Sequence, residues 1–254
     1  MGSAATLEPD QPERIRALER ELAETRDALR AREEELRQFT WLAGHDLQEP
    51  LRTTLAFSEL LRRNWPGPVD EATEERFRFL QDAVKRMRDL IDGLVKWSRV
   101  NAGGQNFDET VDTFGLVHLA ISSLQPALKE CGGGIECGPL PTVRGNLAQM
   151  TQLFQSVLDN AVKFRRVGEP PRVHVTATEH VECWEFAVAD NGIGIDPAFH
   201  QRIFEPFRRL HGREYPGTGI GLALCERIVE AHGGRMTVDS APGQGSTFRF
   251  TIPA

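Results

Sequence analysis

Apolar residues in the first third of the chain recur at the spacing of a helix. From Pro12 to about Phe39 the sequence is rich in Glu, Arg, Ala and Leu, and Ile15, Leu18, Leu22, Leu29, Leu36 and Phe39 fall on alternating steps of three and four. That register predicts a coiled coil, a weak one alone because Thr25 and Arg32 stand where apolar residues belong. The helical pattern runs past His45 to about Asn64 and stops at Trp65-Pro66-Gly67-Pro68, since proline lacks the amide donor and glycine favours turns. A second helix is expected after Asp70, with Phe77, Leu80, Val84, Met87, Ile91 and Leu94 on its apolar stripe and Gly103-Gly104 ending it. Two long seamed helices with a short connection predict an antiparallel hairpin. Pairing with a second copy as a four-helix bundle buries both seams, so a homodimer is expected.

After Phe107 the pattern changes. Short β-like runs, Arg172 to Ala177 and Glu185 to Ala189, alternate with amphipathic helices, Leu147 to Phe164 and Ile220 to His232. A closing hairpin is expected from Arg235 to Ser240 and Thr247 to Ile252, joined by the turn-rich Ala241-Pro242-Gly243-Gln244-Gly245. The expected fold class is α+β in two domains: residues 1–38 as a coiled-coil linker, 39–104 as the helical hairpin and 105–254 as an α/β unit.

Composition narrows the setting. The 254 residues suit two domains, and no apolar run approaches the ~18 residues of a membrane helix. Met1 to Asp10 lacks the features of a secretory signal, which leaves a cytoplasmic location as the expectation. A net charge of −7 argues against nucleic acid as a partner, because a polyanion repels a negative surface. Cys131, Cys137, Cys183 and Cys225 are too scattered for a disulfide framework and have no zinc-finger spacing.

Four clusters carry candidate chemistry. At about 100° per residue, Ala43, Leu47, Leu51, Thr54 and Ser58 share one helix face, and His45 lies roughly 160° from Leu47, pointing to solvent beside Glu49 and Arg52. An imidazole is a nucleophile when neutral, and a carboxylate such as Asp46 bonded to one ring nitrogen makes the other more electron-rich. Pro50 removes a helical hydrogen bond nearby and invites a kink. Downstream, Asp190-Asn191-Gly192-Ile193-Gly194-Ile195 follows a strand-like run, so its glycines permit close turns and its carboxylate can accept from an exocyclic amine. Gly217-Thr218-Gly219-Ile220-Gly221-Leu222 opens a helix whose free amides can face phosphate oxygens. No P-loop lysine motif is present, and Gly217 follows Glu214-Tyr215-Pro216, not a strand, so a Rossmann site fits poorly. In Asp159-Asn160-Ala161-Val162-Lys163-Phe164, Asn160 offers an oxygen suited to magnesium and Lys163 an ammonium suited to phosphate.

Gly44-His45-Asp46-Leu47-Gln48-Glu49-Pro50-Leu51-Arg52 resembles the phospho-acceptor box of dimeric sensor histidine kinases, in the phytochrome-like variant. The asparagine helix, the two glycine boxes, Phe204-Glu205-Pro206-Phe207 between them and the closing Gly245-Ser246-Thr247 resemble, in that order, the Bergerat-type ATPase fold of histidine kinases, gyrase and heat-shock chaperones. The resemblance covers about residues 36–254 and implies an α/β sandwich that binds ATP and Mg2+. It implies that His45 is phosphorylated, with Asp46 as its general base. Asp190 would bind adenine, Asn160 would hold magnesium, and Gly192, Gly194, Gly217, Gly219 and Gly221 would line the nucleotide and phosphates. Thr247 would help position adenine through water, and Phe204 to Pro216 would be a mobile lid carrying Arg208, Arg209 and Arg213. The implied partners are a second copy, a response-regulator receiver and an upstream sensor. Two departures stand out: Glu49, where many relatives carry Thr or Asn that supports phosphatase activity, and Ser156, where many carry a further Asn. A nucleotide-binding dimerisation scaffold, and an ATPase of the chaperone or topoisomerase kind, are the competing readings.

Overall fold

The computed structural model describes residues 11–100, 107–210, 215 and 217–254. Helix α1 runs Gln11–Arg63 and α2 runs Glu71–Val100. The expected break holds: Asp70 begins α2 by accepting the amide of Thr73 at 2.8 Å, so an acidic cap meets the positive helix end. The coiled-coil segment is continuous with the hairpin, as the first part of α1. The Gly103-Gly104 break lies outside the described residues.

The α1 seam is rotated from its expected position. Gly44 and Ser58 are buried and Gln48, Leu51 and Leu55 half-buried toward α2, whereas Leu47 and Thr54 are exposed. A Cβ on Gly44 would stand 2.4 Å from Val95 Cγ2, so glycine is what lets the two helices approach here. Contact with α2 therefore centres about 60° around the helix from the expected face. The α2 stripe divides in the same manner: Phe77 and Val84 are buried and Ile91 half-buried against α1, while Leu80, Met87 and Leu94 stay exposed. Each helix thus carries a second apolar edge that its own hairpin does not cover.

The remaining elements are β1 (Glu109–Asp112), α3 (Thr113–Cys131), β2 (Gly134–Cys137), β3 (Thr142–Gly145), α4 (Leu147–Lys163), β4 (Arg172–Glu179), β5 (Cys183–Asp190), α5 (Gly221–Ala231), β6 (Met236–Ser240) and β7 (Ser246–Pro253). Five strands form one sheet in the order β2-β4-β5-β7-β6, antiparallel except for the parallel pair β2–β4, and β1 pairs with β3 apart from it. Period-two alternation turns Val173, Val175, Phe186, Val188, Phe248 and Phe250 inward, where they meet the apolar faces of α3, α4 and α5. Phe154 of α4 packs edge-on against Phe186 and Phe250 at centroid distances of 5.5 Å, anchoring that helix to the sheet centre. Asp112 and Asn146 cap α3 and α4 by accepting the amides of Gly115 and Gln149.

The end of α2 joins this second core. Val100 is buried in it and Trp97 packs against it, with the Arg227 guanidinium of α5 lying 5.0 Å over the Trp97 ring. At Gly93 a Cβ would come within 2.5 Å of Ile220 Cδ1, so α2 passes close to the start of α5.

Candidate nucleotide site and acceptor histidine

One cleft of about 230 Å3 opens between α4, the end of β5, the segment after it and the start of α5. It brings together Asn160, Lys163, Asp190, Gly194, Gly217, Gly219 and Gly221, which are far apart in sequence. Asp190 ends the central strand β5 and lies at the cleft floor. Its Oδ1 accepts the amides of Gly192 at 2.8 Å and Ser246 at 3.2 Å, which leaves Oδ2 as the oxygen a ligand donor can meet. Burial raises the Asp190 pKa, and the two amide bonds counter it.

Backbone geometry explains the glycines. Gly194 has φ +71°, and a Cβ there would sit 1.9 Å from the Ala241 carbonyl oxygen; the Gly243 amide donates to Ile193 O at 2.7 Å and locks the β6–β7 turn onto this loop. Gly219 has φ +75° and accepts the Phe207 amide at 3.0 Å, tying the second glycine box to the segment that precedes it. Gly192 stands behind the floor: it holds Asp190, and a Cβ would meet Phe164 O at 2.5 Å.

On α4, Asn160 and Lys163 face the cleft nearly one turn apart. Burial pulls the Lys163 pKa down, Asp159 one turn back opposes that, and Arg209 adds to the lowering. The Lys163 ammonium lies 4.5 Å over the Phe164 ring and close to Gly217. Arg208 pairs with Glu205 at 2.8 Å and Arg209 donates to Tyr215 O at 2.7 Å, both at the cleft edge. Arg213 lies outside the described residues. Ser156, one of the two departures from the family pattern, also lines the cleft, opposite Gly221.

Thr247 departs from expectation. Strand alternation puts Ser246 and Phe248 on the cleft wall and turns Thr247 to the other face of β7. Ser246 is the residue that sequence reasoning missed, and the period-two pattern with inward Phe248 and Phe250 is the signal that locates it.

His45 and Asp46 are far more open, with side chains 66% and 78% exposed. Nδ1 of His45 lies 3.2 Å from Asp46 Oδ1, which leaves Nε2 outward, and the Trp41 ring one turn earlier stacks on the imidazole at 6.1 Å. Gly44 backs onto Ile91 and Val95, and Gly93 between them meets Ile220 of the second glycine box. Gly44, next to His45, and Ile220, at the start of α5, therefore border the same two turns of α2.

Comparison with known proteins agrees with this arrangement. Residues 145–254 match the family model described as histidine kinase-, DNA gyrase B-, and HSP90-like ATPase. Cyanobacterial phytochrome A of Nostoc sp. is 42% identical over 234 residues, covering 92% of this chain and 30% of the relative. Phytochrome-like protein Cph1 of Synechocystis sp. is 38% identical, over 92% of this chain and 31% of its own length. Among solved structures, full-length ShkA in complex with AMPPNP superposes with a TM-score of 0.66 at 27% identity, covering 85% of this chain and 45% of that one. The chain spans about three tenths of the length of the phytochromes it matches. Its α/β unit is an ATPase domain of the histidine kinase, gyrase B and HSP90 class. With the helical hairpin ahead of that domain, the chain is similar over nine tenths of its length to the C-terminal catalytic part of phytochrome-like sensor histidine kinases.

Proposed function

We propose that this core transfers the γ-phosphoryl group of Mg-ATP to His45 and passes it on to an aspartate of a response-regulator receiver. The observation that carries the reading is the pairing, across Ile91 to Val95 of α2, of an exposed histidine–carboxylate dyad with a glycine-walled cleft. Asp190 would accept the adenine amine, Lys163 and the Gly219 to Gly221 amides would hold the phosphates, and Asn160 would hold the metal. The donor set suits magnesium: Asn160 brings an amide oxygen to the cleft, and magnesium takes only one or two protein ligands, completing its shell with waters and substrate phosphates. When bound, the ion neutralises phosphate charge.

In the transfer, Nε2 of His45 attacks the γ-phosphorus in line; the N–P bond forms as the bond to the bridging oxygen breaks and ADP leaves. Asp46, bonded to Nδ1, takes the imidazole proton and steadies the charge that develops on the ring. Positioning supplies most of the acceleration in phosphoryl transfer, so the movement of the ATPase unit against α2 is the natural control point. The uncovered edges of α1 and α2 suit a second copy, the α1 coiled-coil segment suits connection to an upstream sensor, and no described helix is long and apolar enough to cross a membrane. The uncovered edges are the features that favour a dimeric kinase, and a cytoplasmic location remains part of the proposal. Glu49 at the phosphatase position favours kinase over phosphatase activity.

Incubation with radiolabelled ATP and magnesium tests the proposal. Acid-labile label on the native chain, lost in His45→Ala and in Asn160→Ala, is expected. An unlabelled native chain refutes the kinase, and ATP hydrolysis that persists undiminished in His45→Ala identifies a plain ATPase.

A further inference from the structure

Below the cleft floor, the Ser240 hydroxyl at the end of β6 meets three groups from two segments of the chain. The Ile195 amide donates to Ser240 Oγ at 2.8 Å, Ser240 Oγ donates to the Gly245 carbonyl at 2.7 Å, and Ser246 Oγ lies 2.9 Å away. A serine hydroxyl has one proton and two acceptor sites. The Gly245 carbonyl can only accept and the Ile195 amide can only donate, so the Ser240 proton goes to Gly245 and one lone pair to Ile195. The remaining lone pair then takes the proton of Ser246. Ring nitrogen Nε2 of His200, 3.1 Å from Ser240 O, steadies the same residue from behind as a donor.

Ser246 is nine-tenths buried, lines the cleft and gives its amide to Asp190. With its hydroxyl proton spent on Ser240, Ser246 Oγ can offer the cleft only acceptor lone pairs. Asp190, when ionised, also only accepts. We infer that Ser240 is a specificity-determining positioning residue: by fixing the proton direction of Ser246 it makes the base end of the cleft an all-acceptor surface, which takes the 6-amino group of adenine and rejects the 6-oxo group of guanine. A purine that places a carbonyl there sets acceptor against acceptor, and leaving a buried polar group unpaired is what makes such discrimination steep. This inference rests on the reading of Asp190 as the adenine acceptor.

Calorimetric titration of the full chain with Mg-ADP and with Mg-GDP separates the possibilities. Ser240→Ala frees the Ser246 proton to turn into the cleft, and the ADP-over-GDP preference is expected to fall about fivefold, the equivalent of roughly 1 kcal/mol. Ser240→Thr, which keeps a hydroxyl, restores the preference. Equal weakening of both nucleotides in Ser240→Ala, with the ratio intact, reduces Ser240 to a structural brace and overturns the inference. Ser246→Ala removes the acceptor without altering β6 and decides the matter if Ser240→Ala does not fold: an unchanged ratio there also refutes it. Asp190→Asn is the control on the parent reading. If it leaves the ratio unchanged, the adenine assignment itself fails; if it collapses the ratio while both serine variants preserve it, only the Ser240 relay fails.

Discussion

If the proposed dimer forms through the uncovered edge of α2, replacing Leu80, Met87 and Leu94 together by Gln should separate it while leaving the hairpin and the ATPase unit folded. In the single chain these side chains are 41%, 44% and 38% exposed, so each has about two fifths of its surface left for a partner to cover. Full burial of such a side chain contributes ~2.5 kcal/mol, which makes the uncovered portion worth about 1 kcal/mol each. Two protomers contribute six such side chains, so roughly 6 kcal/mol of association free energy is removed. That corresponds to about four orders of magnitude in dissociation constant. Gln retains high helix propensity, so the loss falls on association and not on the helices. Sedimentation equilibrium across a wide concentration range, with circular dichroism on the same samples, reads both quantities. The matching change at Phe77, Val84 and Ile91, which face α1 within the chain, should instead reduce helicity. A triple Gln variant that stays as dimeric as the native chain would refute the assignment of this edge to a second copy.

Three further outcomes follow from the cleft. Gly194→Ala forces a side chain into φ +71° and against the Ala241 carbonyl, so a loss of at least ~2 kcal/mol and of nucleotide binding is expected, measured by thermal melt and ADP titration. Burial holds the Asp190 pKa above its ordinary value, so ADP affinity should weaken as pH falls through that raised value, where protonation turns an acceptor into a donor. The stability term has the opposite sense: the native state binds this proton more tightly than the unfolded chain does. Its contribution to stability therefore declines as pH rises through the interval from the unfolded to the folded pKa, and Asp190→Asn should remove that slope from denaturant midpoints.

Legibility in the sequence followed the reach of each signal. Helix α2 was plain because its stripe has no gap, and the cap at Asp70 and the breaker at Pro66 to Pro68 are local features. Strands β4 to β7 were legible as alternating runs for the same reason. What local pattern could not assign was partnership. The stripe from Phe77 to Leu94 reads as one apolar face, yet alternate members serve the hairpin and the uncovered edge, as expected of a helix with more than one neighbour in the proposed four-helix bundle. The short strands β1, β2 and β3 have too few residues for a period to show, and β1 and β3 are defined only by pairing with each other.

The site divides along the same line. That Asp190, Asn160, Gly194, Gly217, Gly219 and Gly221 meet at one cleft was legible because turn and strand-end chemistry is written in a few consecutive residues, whereas Gly192 stands behind the floor. Thr247 was misplaced because a strand that shifts by one residue exchanges every side chain between its faces. The register β7 adopts, with Ser246 opposite Asp190 on one neighbour and opposite Ser240 on the other, is a property of the whole sheet. That register joins the carboxylate, the wall hydroxyl and the hydroxyl beneath it into one hydrogen-bonded line. Residues 190, 240 and 246 carry no shared motif, so only the folded sheet could connect the base end of the cleft to a serine on its far strand.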